Sequence, residues 1–444
     1  MASQNVERQA VEPSLTMARD SATAFHAPPG PEVTEKRELE LEPPPDGGLQ
    51  AWLQVLAGHL VVINTWGYMN SYGIFQPYYV EAFGRTASDI SWVGSVEIFL
   101  VFFVGTFSGR VMDAGYFRPC IFAGMCMLVF GVFMTSLSSR YWHLLLAQGL
   151  CQGIGNGLLF CPIIALVSTY FRARRALAIS LQASGAATGG MVFPAIAQSL
   201  LPRLGFGWTV RIMGFVILFN SAAAFALART RVPPRKTGAP WIEWAAFREA
   251  PYALFSLGTF LTLWGTYYAY YYVRPYARDV LGVDEYTSFS YLLLLNGIGV
   301  PARVIPALIA DRYVGPVNIF IPTIFFAGVL LFCWIAVDTV PSMWAFVAIF
   351  GYFGGGVQAL FPASLSSLTS DLSKIGVRIG MVFSIVSVAS LSGPPIAGAL
   401  IRGGSGRPDY LQAQVFGGVV MICGSLFVAA ARTSKVGWKL RARM

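Results

Sequence analysis

The chain has 444 residues, of which 55% are hydrophobic and only 12% are charged. About a quarter of the residues of a soluble domain carry a charge, so this composition excludes an ordinary soluble protein and predicts a polytopic membrane protein. The net charge of +9 could suggest nucleic acid, but the basic residues concentrate in alternate connections between apolar segments. That distribution follows the positive-inside rule. We therefore expect a lipid bilayer as partner, no nucleic acid, and both termini in the cytosol.

The first 46 residues differ from the rest of the chain. Residues 1–46 contain nine acidic and four basic residues and are rich in proline. Such a segment has too few large apolar residues to offset the entropy lost on ordering. We expect a disordered acidic cytosolic tail.

Apolar segments of membrane-spanning length follow this tail. A spanning helix needs about 20 apolar residues, and a basic linker at 229–249 divides the candidates six and six. This predicts an all-α membrane protein with twelve transmembrane helices in two six-helix bundles, at 47–228 and 250–432, and a basic cytosolic tail at 433–444. The twelve segments begin near Ala51, Ile90, Cys120, Leu144, Leu177, Thr209, Tyr252, Ser288, Ile319, Met343, Gly376 and Leu411.

The two halves share residues at a constant offset, which indicates a duplicated unit. Duplicated six-helix units are typical of secondary transporters, whose substrate site lies between the halves near the membrane midplane. The matches 200 positions apart are Gly155, Pro162, Thr169 and Arg174 with Gly355, Pro362, Thr369 and Lys374.

The eighth apolar segment contains an arginine, Arg303. Placing arginine at the centre of a membrane helix costs about 2.5 to 3.5 kcal/mol, so it normally faces a polar cavity or a partner. Asn296 precedes it by seven residues, close to two turns, and shares its helix face. Both are candidate substrate-binding residues. The alternative is that Arg303 only braces the fold through neighbouring carbonyl groups.

The first apolar segment carries polar residues on one face. His59, Trp66 and Asn70 lie at helical spacing and are candidate substrate-binding residues. His59 lies near mid-membrane, and an imidazole can change charge at physiological pH. It is therefore also a candidate for proton coupling. The alternative is a neutral histidine that only forms a hydrogen bond.

Glu97 lies in the second apolar segment, about two turns from its outer end. An ionised carboxylate there is unfavourable, so Glu97 is expected to be protonated, paired, or exposed to a cavity. It is the principal candidate for proton coupling. The alternative is a carboxyl group that water reaches from an outer vestibule.

Further candidates for the substrate site come from three other helices. Tyr267 and Tyr271 form an aromatic stripe in the seventh segment, and Asn156 and Gln358 lie in the fourth and tenth. A tyrosine stripe could stack a planar substrate, or could serve packing or the membrane interface. The two amides could bind substrate or join helices to one another.

Known enzyme motifs are missing from the sequence. It contains no phosphate-binding Gly-x-x-x-x-Gly-Lys-Ser/Thr, which argues against an ATP-driven pump, and no His-Glu-x-x-His or Cys-x-x-Cys. We expect no enzymatic activity, no cofactor and no metal.

Several motifs after residue 45 resemble the major facilitator superfamily, specifically its fungal monocarboxylate-porter-like branch. They are Asp46-Gly-Gly, Asn70-Ser-Tyr-Gly-Ile-Phe-Gln76, Tyr170-Phe-Arg-Ala-Arg-Arg-Ala-Leu-Ala178, Ala302-Arg303 and Ser392-Gly-Pro-Pro-Ile-Ala-Gly398. The resemblance implies a transporter that works by alternating access.

Two connections also resemble the superfamily's Gly-x-x-x-Asp-Arg element, which holds the halves together on the cytosolic side. The resemblance implies gate-bracing roles for Asp113, Arg118, Asp311 and Arg312, although Ala114 replaces the arginine of the first copy. Animal proton-coupled relatives have an acid one turn before the helix-eight arginine, where this chain has Gly299. Coupling by the animal scheme is therefore not expected.

The leading interpretation is a secondary or facilitative transporter of a small organic metabolite, anionic or aromatic, such as a monocarboxylate or a secondary metabolite. Import, export and coupling to protons all stay open at this stage. The alternative is a receptor or sensor on the same fold. Family resemblance favours the plasma membrane over an internal membrane, and one chain with both halves favours a monomer.

Overall fold

A computed structural model of the chain describes residues 44–231, 243–368, 375–401 and 409–437. Nearly all of the expected acidic tail, most of the expected linker, the repeat matches Thr369 and Lys374, and the end of the basic tail lie outside the described residues. Over the described residues the chain is α-helical, with short π-helical and 3-10 turns.

The described part of the first half, up to Arg231, contains seven helices, of which the fifth includes a π-helical stretch at Leu145–Gln152. The first apolar segment is interrupted, because a π-helical turn at Ile63–Gly67 follows its first helix. Gly67 packs directly on Gly189. A Cβ added at Gly67 would lie 2.5 Å from the Cα atom of Gly189. The helices are α1 (Leu49–Val62), α2 (Tyr72–Phe83), α3 (Ala87–Asp113), α4 (Phe117–Thr135), α5 (Tyr141–Tyr170), α6 (Arg175–Ala183) and α7 (Gly185–Leu227).

The described part of the second half, from Glu243 onwards, contains six α-helices. They are α8 (Ala250–Asp279), α9 (Glu285–Ile309), α10 (Pro316–Cys333), α11 (Val340–Leu368), α12 (Ile375–Leu400) and α13 (Leu411–Val436).

Nine helical stretches of the described residues are long and apolar enough to cross a membrane. The 53-residue stretch Arg175–Leu227 is long enough for two crossings, and Gly205 breaks it with a left-handed φ of 72°. The interrupted segment of α1 and α2 and the tyrosine-rich α8 add two further helical segments of comparable length. The structure is thus consistent with the expected twelve crossings and confirms an all-helical membrane fold.

Apolar packing organises the two halves around separate cores. One buried cluster is formed almost entirely by first-half residues, and the other is formed mainly by second-half residues. A few first-half side chains, including Trp66, Phe102 and Ile164, belong to the second cluster. These residues therefore mark the surface where the halves meet.

Candidate functional site

A cavity of about 780 Å³ lies between the two halves. We call it the wide cavity. It extends to the last residues of α2 and α8. This side of the bundle is opposite to the side on which α1 and α8 begin. Its wall contains several aromatic rings together with polar, charged and aliphatic side chains. Its lining includes Trp66, Asn70, Tyr72, Gln76, Glu81, Tyr267, Tyr270, Tyr271, Tyr272 and Arg274.

Trp66 and Tyr267 form the boundary at the base of the wide cavity. Each of them also lines a second, smaller space of about 40 Å³, which we call the inner pocket. The two rings come from different halves, lie 3° from parallel, and have centroids 6.2 Å apart. Phe102 and Phe160 support Trp66, each with its ring centroid 5.5 Å from the indole. At this separation the two rings form an offset-stacked pair, which stabilises the contact between the halves.

Arg303 lies in the inner pocket and is only 2% exposed. Its Nη1 donates a hydrogen bond to the Gly299 carbonyl at 2.8 Å, and its Nη2 donates to Gln358 Oε1 at 2.9 Å. Its Nε has no hydrogen-bond partner, and no carboxylate among the described residues forms an ion pair with it. The guanidinium charge is therefore solvated by neutral groups alone.

Glycine at position 299 makes this arginine conformation possible. A Cβ at Gly299 would lie 2.5 Å from Arg303 Nη1, and one at Gly355 would lie 3.1 Å from the same atom. Side chains at these positions would occupy the space of the guanidinium. Glycine at position 299 therefore lets the arginine fold back onto its own helix.

Asn70 and Asn296 connect the halves directly. Asn70 Nδ2 donates to Asn296 Oδ1 at 3.3 Å and to the Ala186 carbonyl at 3.2 Å. Gly190 leaves room for the pair, because a Cβ there would lie 2.5 Å from Asn296 Oδ1. Of the two amides, Asn70 also lines the wide cavity.

Glu97 lies inside the first half and is 1% exposed. Asn156 Nδ2 donates to its Oε1 at 3.2 Å, and the Gln148 side chain also hydrogen-bonds to the carboxyl group. Tyr79 in turn donates its hydroxyl to Gln148 Oε1 at 3.2 Å. Glu97 itself does not line the wide cavity, although the adjacent Ile98 does. The carboxyl group of Glu97 thus has neutral hydrogen-bond partners, and the next residue along α3, Ile98, forms part of the cavity wall.

His59 belongs to α1 and contacts the end of α6, and it lines neither of the two cavities. Its Nδ1 lies 2.9 Å from the Leu181 carbonyl and 3.3 Å from Ser184 Oγ. The structure therefore does not bring His59 together with Trp66 and Asn70 at the cavity surface.

The end of the bundle beyond the inner pocket is closed by contacts between the halves. Asp311 accepts hydrogen bonds from the backbone N–H groups of Ala176 at 3.2 Å and Leu177 at 2.8 Å, at the start of α6. A carboxylate is favourable at a helix N-terminus. Thr106 on α3 donates to the Gly380 carbonyl of α12 at 2.8 Å.

Two of the other expected gate residues lie over aromatic rings, and the side chain of the third is not described. The Arg118 guanidinium lies over the Phe225 ring, 5.6 Å from its centroid, within the first half. Arg312 lies over Tyr313 at 5.4 Å. The structure does not describe the side chain of Asp113.

A charge cluster near the start of α12 was not recognised in the sequence. Arg378 forms ion pairs with Glu243 at 3.1 Å and with Glu249 at 2.5 Å. Its partners precede it by more than 120 residues, so no local pattern joins them. The only hint in the sequence is that Arg378 lies at the start of an apolar segment.

Comparisons with known proteins agree with this architecture. The chain matches the Major Facilitator Superfamily over residues 59–374. It is 45% identical over 399 residues to an MFS-type transporter of Gibberella zeae, an alignment that covers 89% of this chain and 90% of the relative. It is 34% identical over 396 residues to the aspyridones efflux protein of Emericella nidulans, covering 88% of this chain and 80% of the relative. An MFS transporter of Aspergillus flavus is also 34% identical, over 93% of this chain and 92% of its own length.

These similarities confirm the expected superfamily and the expected transport function. The relatives are named as transporters or efflux proteins, so their names point to transport rather than catalysis and leave the receptor alternative without support. Their names do not mention a monocarboxylate porter. The chain belongs to the Major Facilitator Superfamily and is a multi-pass transmembrane transporter of small metabolites.

Proposed function

We propose that the chain exports a planar, anionic aromatic metabolite by alternating access between the two halves. One observation carries this proposal: Arg303, a buried arginine with no acidic partner among the described residues, lies just beyond the parallel rings of Trp66 and Tyr267 at the base of the wide cavity. The rings would hold the planar part of the substrate, and the guanidinium would attract its negative charge.

The size of the wide cavity agrees with a metabolite larger than lactate or pyruvate. Ligand pockets usually measure about 300 to 1,000 Å³, and this one measures about 780 Å³. The Emericella nidulans relative is named as an efflux protein, which favours export as the direction. The Arg303 motif favours the monocarboxylate-porter-like branch as the origin of this site.

Proton coupling through Glu97 is the second part of the proposal. A carboxyl group buried among neutral amides favours its protonated form, and it can release a proton when the conformation changes its surroundings. Glu97 meets this description because Asn156 and Gln148 are its hydrogen-bond partners. His59 is the alternative carrier, with a carbonyl and a hydroxyl as neighbours.

The orientation in the membrane completes the proposal. Basic residues in alternate connections favour cytosolic termini, so the wide cavity would open to the outside and Asp311 would close the cytosolic side. We propose the plasma membrane as the location, since export requires it, and a monomer as the working unit, since one chain supplies Trp66 and Tyr267.

Flux into proteoliposomes tests both parts. A panel of labelled aromatic acids would be measured with no proton gradient and with gradients of either sign, for the wild type and for Glu97→Gln. We expect a gradient to drive concentrative uptake in the wild type, with its sign separating symport from antiport. Glu97→Gln should equilibrate substrate without concentrating it. Glu81→Gln is the matched control, because Glu81 is an exposed carboxylate at the cavity rim.

The outcomes separate the two parts of the proposal. If no proton gradient accelerates uptake and Glu97→Gln behaves like the wild type, the protein is a facilitator. That result would overturn the proposed proton coupling. Loss of concentrative uptake in Glu81→Gln as well would remove the specific role of Glu97. Flux of neutral metabolites but of no aromatic acid would overturn the proposed substrate class.

A further inference from the structure

Tyr271 of α8 reaches from the second half of the chain into the first. Its side chain is half-buried, and it packs against both apolar clusters. Among the described residues it is the one partly buried hydrophobic side chain that does so. Tyr271 also lines the wide cavity. Its ring therefore crosses the boundary between the halves at the wall of that cavity.

The Tyr271 hydroxyl lies beside α3, close to Glu97. A Cβ added at Gly94 would lie 3.5 Å from Tyr271 Oη. Gly94 precedes Glu97 by three residues, so the two share one face of α3 and lie about 4.5 Å apart along its axis. Helical side chains lean toward the N-terminus of their helix, which directs the Glu97 carboxyl group toward the turn that contains Gly94. One water molecule can bridge a gap of this size between the hydroxyl and the carboxyl group.

The other hydroxyl groups around Glu97 are already bonded or enclosed. The hydroxyls of Tyr72 and Tyr79 each donate a hydrogen bond within the first half, and that of Tyr68 is enclosed. The Tyr271 hydroxyl is not enclosed and forms no hydrogen bond with the described residues. No cation among those residues forms an ion pair with Glu97. The titratable side chains that interact electrostatically with Glu97 are four tyrosines, Tyr68, Tyr72, Tyr79 and Tyr271.

We propose that the Tyr271 hydroxyl carries protons between the water of the wide cavity and Glu97. A tyrosine hydroxyl both donates and accepts hydrogen bonds. Its Oη would pass its own proton to the ionised carboxylate and take one from water in the cavity, so that one proton moves and the tyrosine ends unchanged. The reverse transfer would release the proton.

The position of the two groups in different halves would make this path depend on conformation. Tyr271 belongs to the second half and Glu97 to the first, so the rocking that closes the wide cavity would also separate the hydroxyl from the carboxyl group. The inference rests on the proposed proton coupling through Glu97. It adds the group that connects this carboxyl to the cavity and disconnects it when the halves move.

Tyr271→Phe tests the inference, because it removes the hydroxyl and keeps the ring that packs against both clusters. Two rates would be measured in proteoliposomes with labelled 2-naphthoate. One is accumulation driven by a proton gradient, and the other is exchange of labelled for unlabelled naphthoate at equal pH, which needs no net proton transfer. Driven accumulation should slow at least about tenfold, because a positioned proton carrier is lost, while exchange should stay within about twofold of the wild type.

Tyr268→Phe is the matched control. It removes a hydroxyl from α8 one turn before Tyr271, but that hydroxyl is enclosed and Tyr268 lines neither cavity. Both rates should therefore equal those of the wild type.

Three outcomes would contradict the expectation, and they differ in what they overturn. Driven accumulation at the wild-type rate in Tyr271→Phe, together with its loss in Glu97→Gln, would overturn this inference and leave coupling through Glu97 standing. An equal loss of accumulation and exchange in Tyr271→Phe would also overturn it, since the side chain would then act on substrate binding or packing. A wild type in which no gradient drives accumulation would overturn the proposed coupling, and this inference with it.

Discussion

Two buried arginines of the second half differ in how their charge is compensated. Arg378 is 8% exposed and forms ion pairs with Glu243 and Glu249. Arg303 is 2% exposed, and its hydrogen-bond partners are the Gly299 carbonyl and the Gln358 amide. One arginine thus has two carboxylates at the end of its helix, and the other has only neutral dipoles within the bundle.

This difference separates two uses of a buried charge. Removing a charge from water is costly, and carboxylates in good geometry offset that cost within the folded protein. Arg378 therefore serves to hold the start of α12 against the start of α8. Arg303 retains charge that the protein does not neutralise, which is what a site for a transported anion requires.

The largest effect is expected for Arg303→Ala, which tests the functional side of this comparison. Flux of aromatic acids should fall by at least about 100-fold, or about 2.7 kcal/mol, because the charge that attracts the anion is lost. Delivery to the membrane should be retained. Flux assays in proteoliposomes and surface labelling in cells measure the two quantities. A variant that fails to reach the membrane would instead favour the bracing role of Arg303.

Arg378→Gln tests the structural side. It should lower the free energy of unfolding by about 2 to 3 kcal/mol, because the largely buried ion pair between Arg378 and Glu243 would be lost. The KM for aromatic acids should stay near the wild-type value. Thermal unfolding in detergent and flux per folded molecule measure these effects. A changed KM with unchanged unfolding temperature would reverse the assignment of the two arginines.

The smallest effect is expected for Glu249→Gln. The Glu249 side chain is 49% exposed, so water screens its ion pair with Arg378. The substitution should cost less than about 1 kcal/mol, and the unfolding temperature should change less than in Arg378→Gln. A loss as large as that of Arg378→Gln would mean that Glu249, rather than Glu243, is the main partner of the arginine.

Much of the fold could be predicted from the sequence. Apolar segments of bilayer length and a low content of charged residues indicated the helical membrane architecture, because the bilayer requires every backbone polar group to bond within its own helix. The interruption of the first segment at Ile63–Gly67 was not predicted. It lies at the close contact between Gly67 and Gly189, which are 122 positions apart in the chain.

The candidate site was predictable only in part. Arg303, Asn296, Trp66 and Tyr267 were singled out because polar or aromatic residues in apolar helices stand out in the sequence itself. Their neighbours were not predictable. That Asn156 contacts Glu97, and that Gln182 lies in the same pocket as Arg303, follows from how helices pack.

The sequence by itself determined that this chain is a helical membrane transporter and that an arginine lies within its eighth apolar segment. Hydropathy and motifs are local properties, so they can be read one segment at a time. Only the tertiary structure decided which groups surround each charge: neutral groups for Arg303, two carboxylates for Arg378. Gln358, Glu243 and Glu249 come from distant helices or connecting segments. Their placement depends on packing across the whole bundle, and that packing gives one arginine two carboxylates and the other none among the described residues.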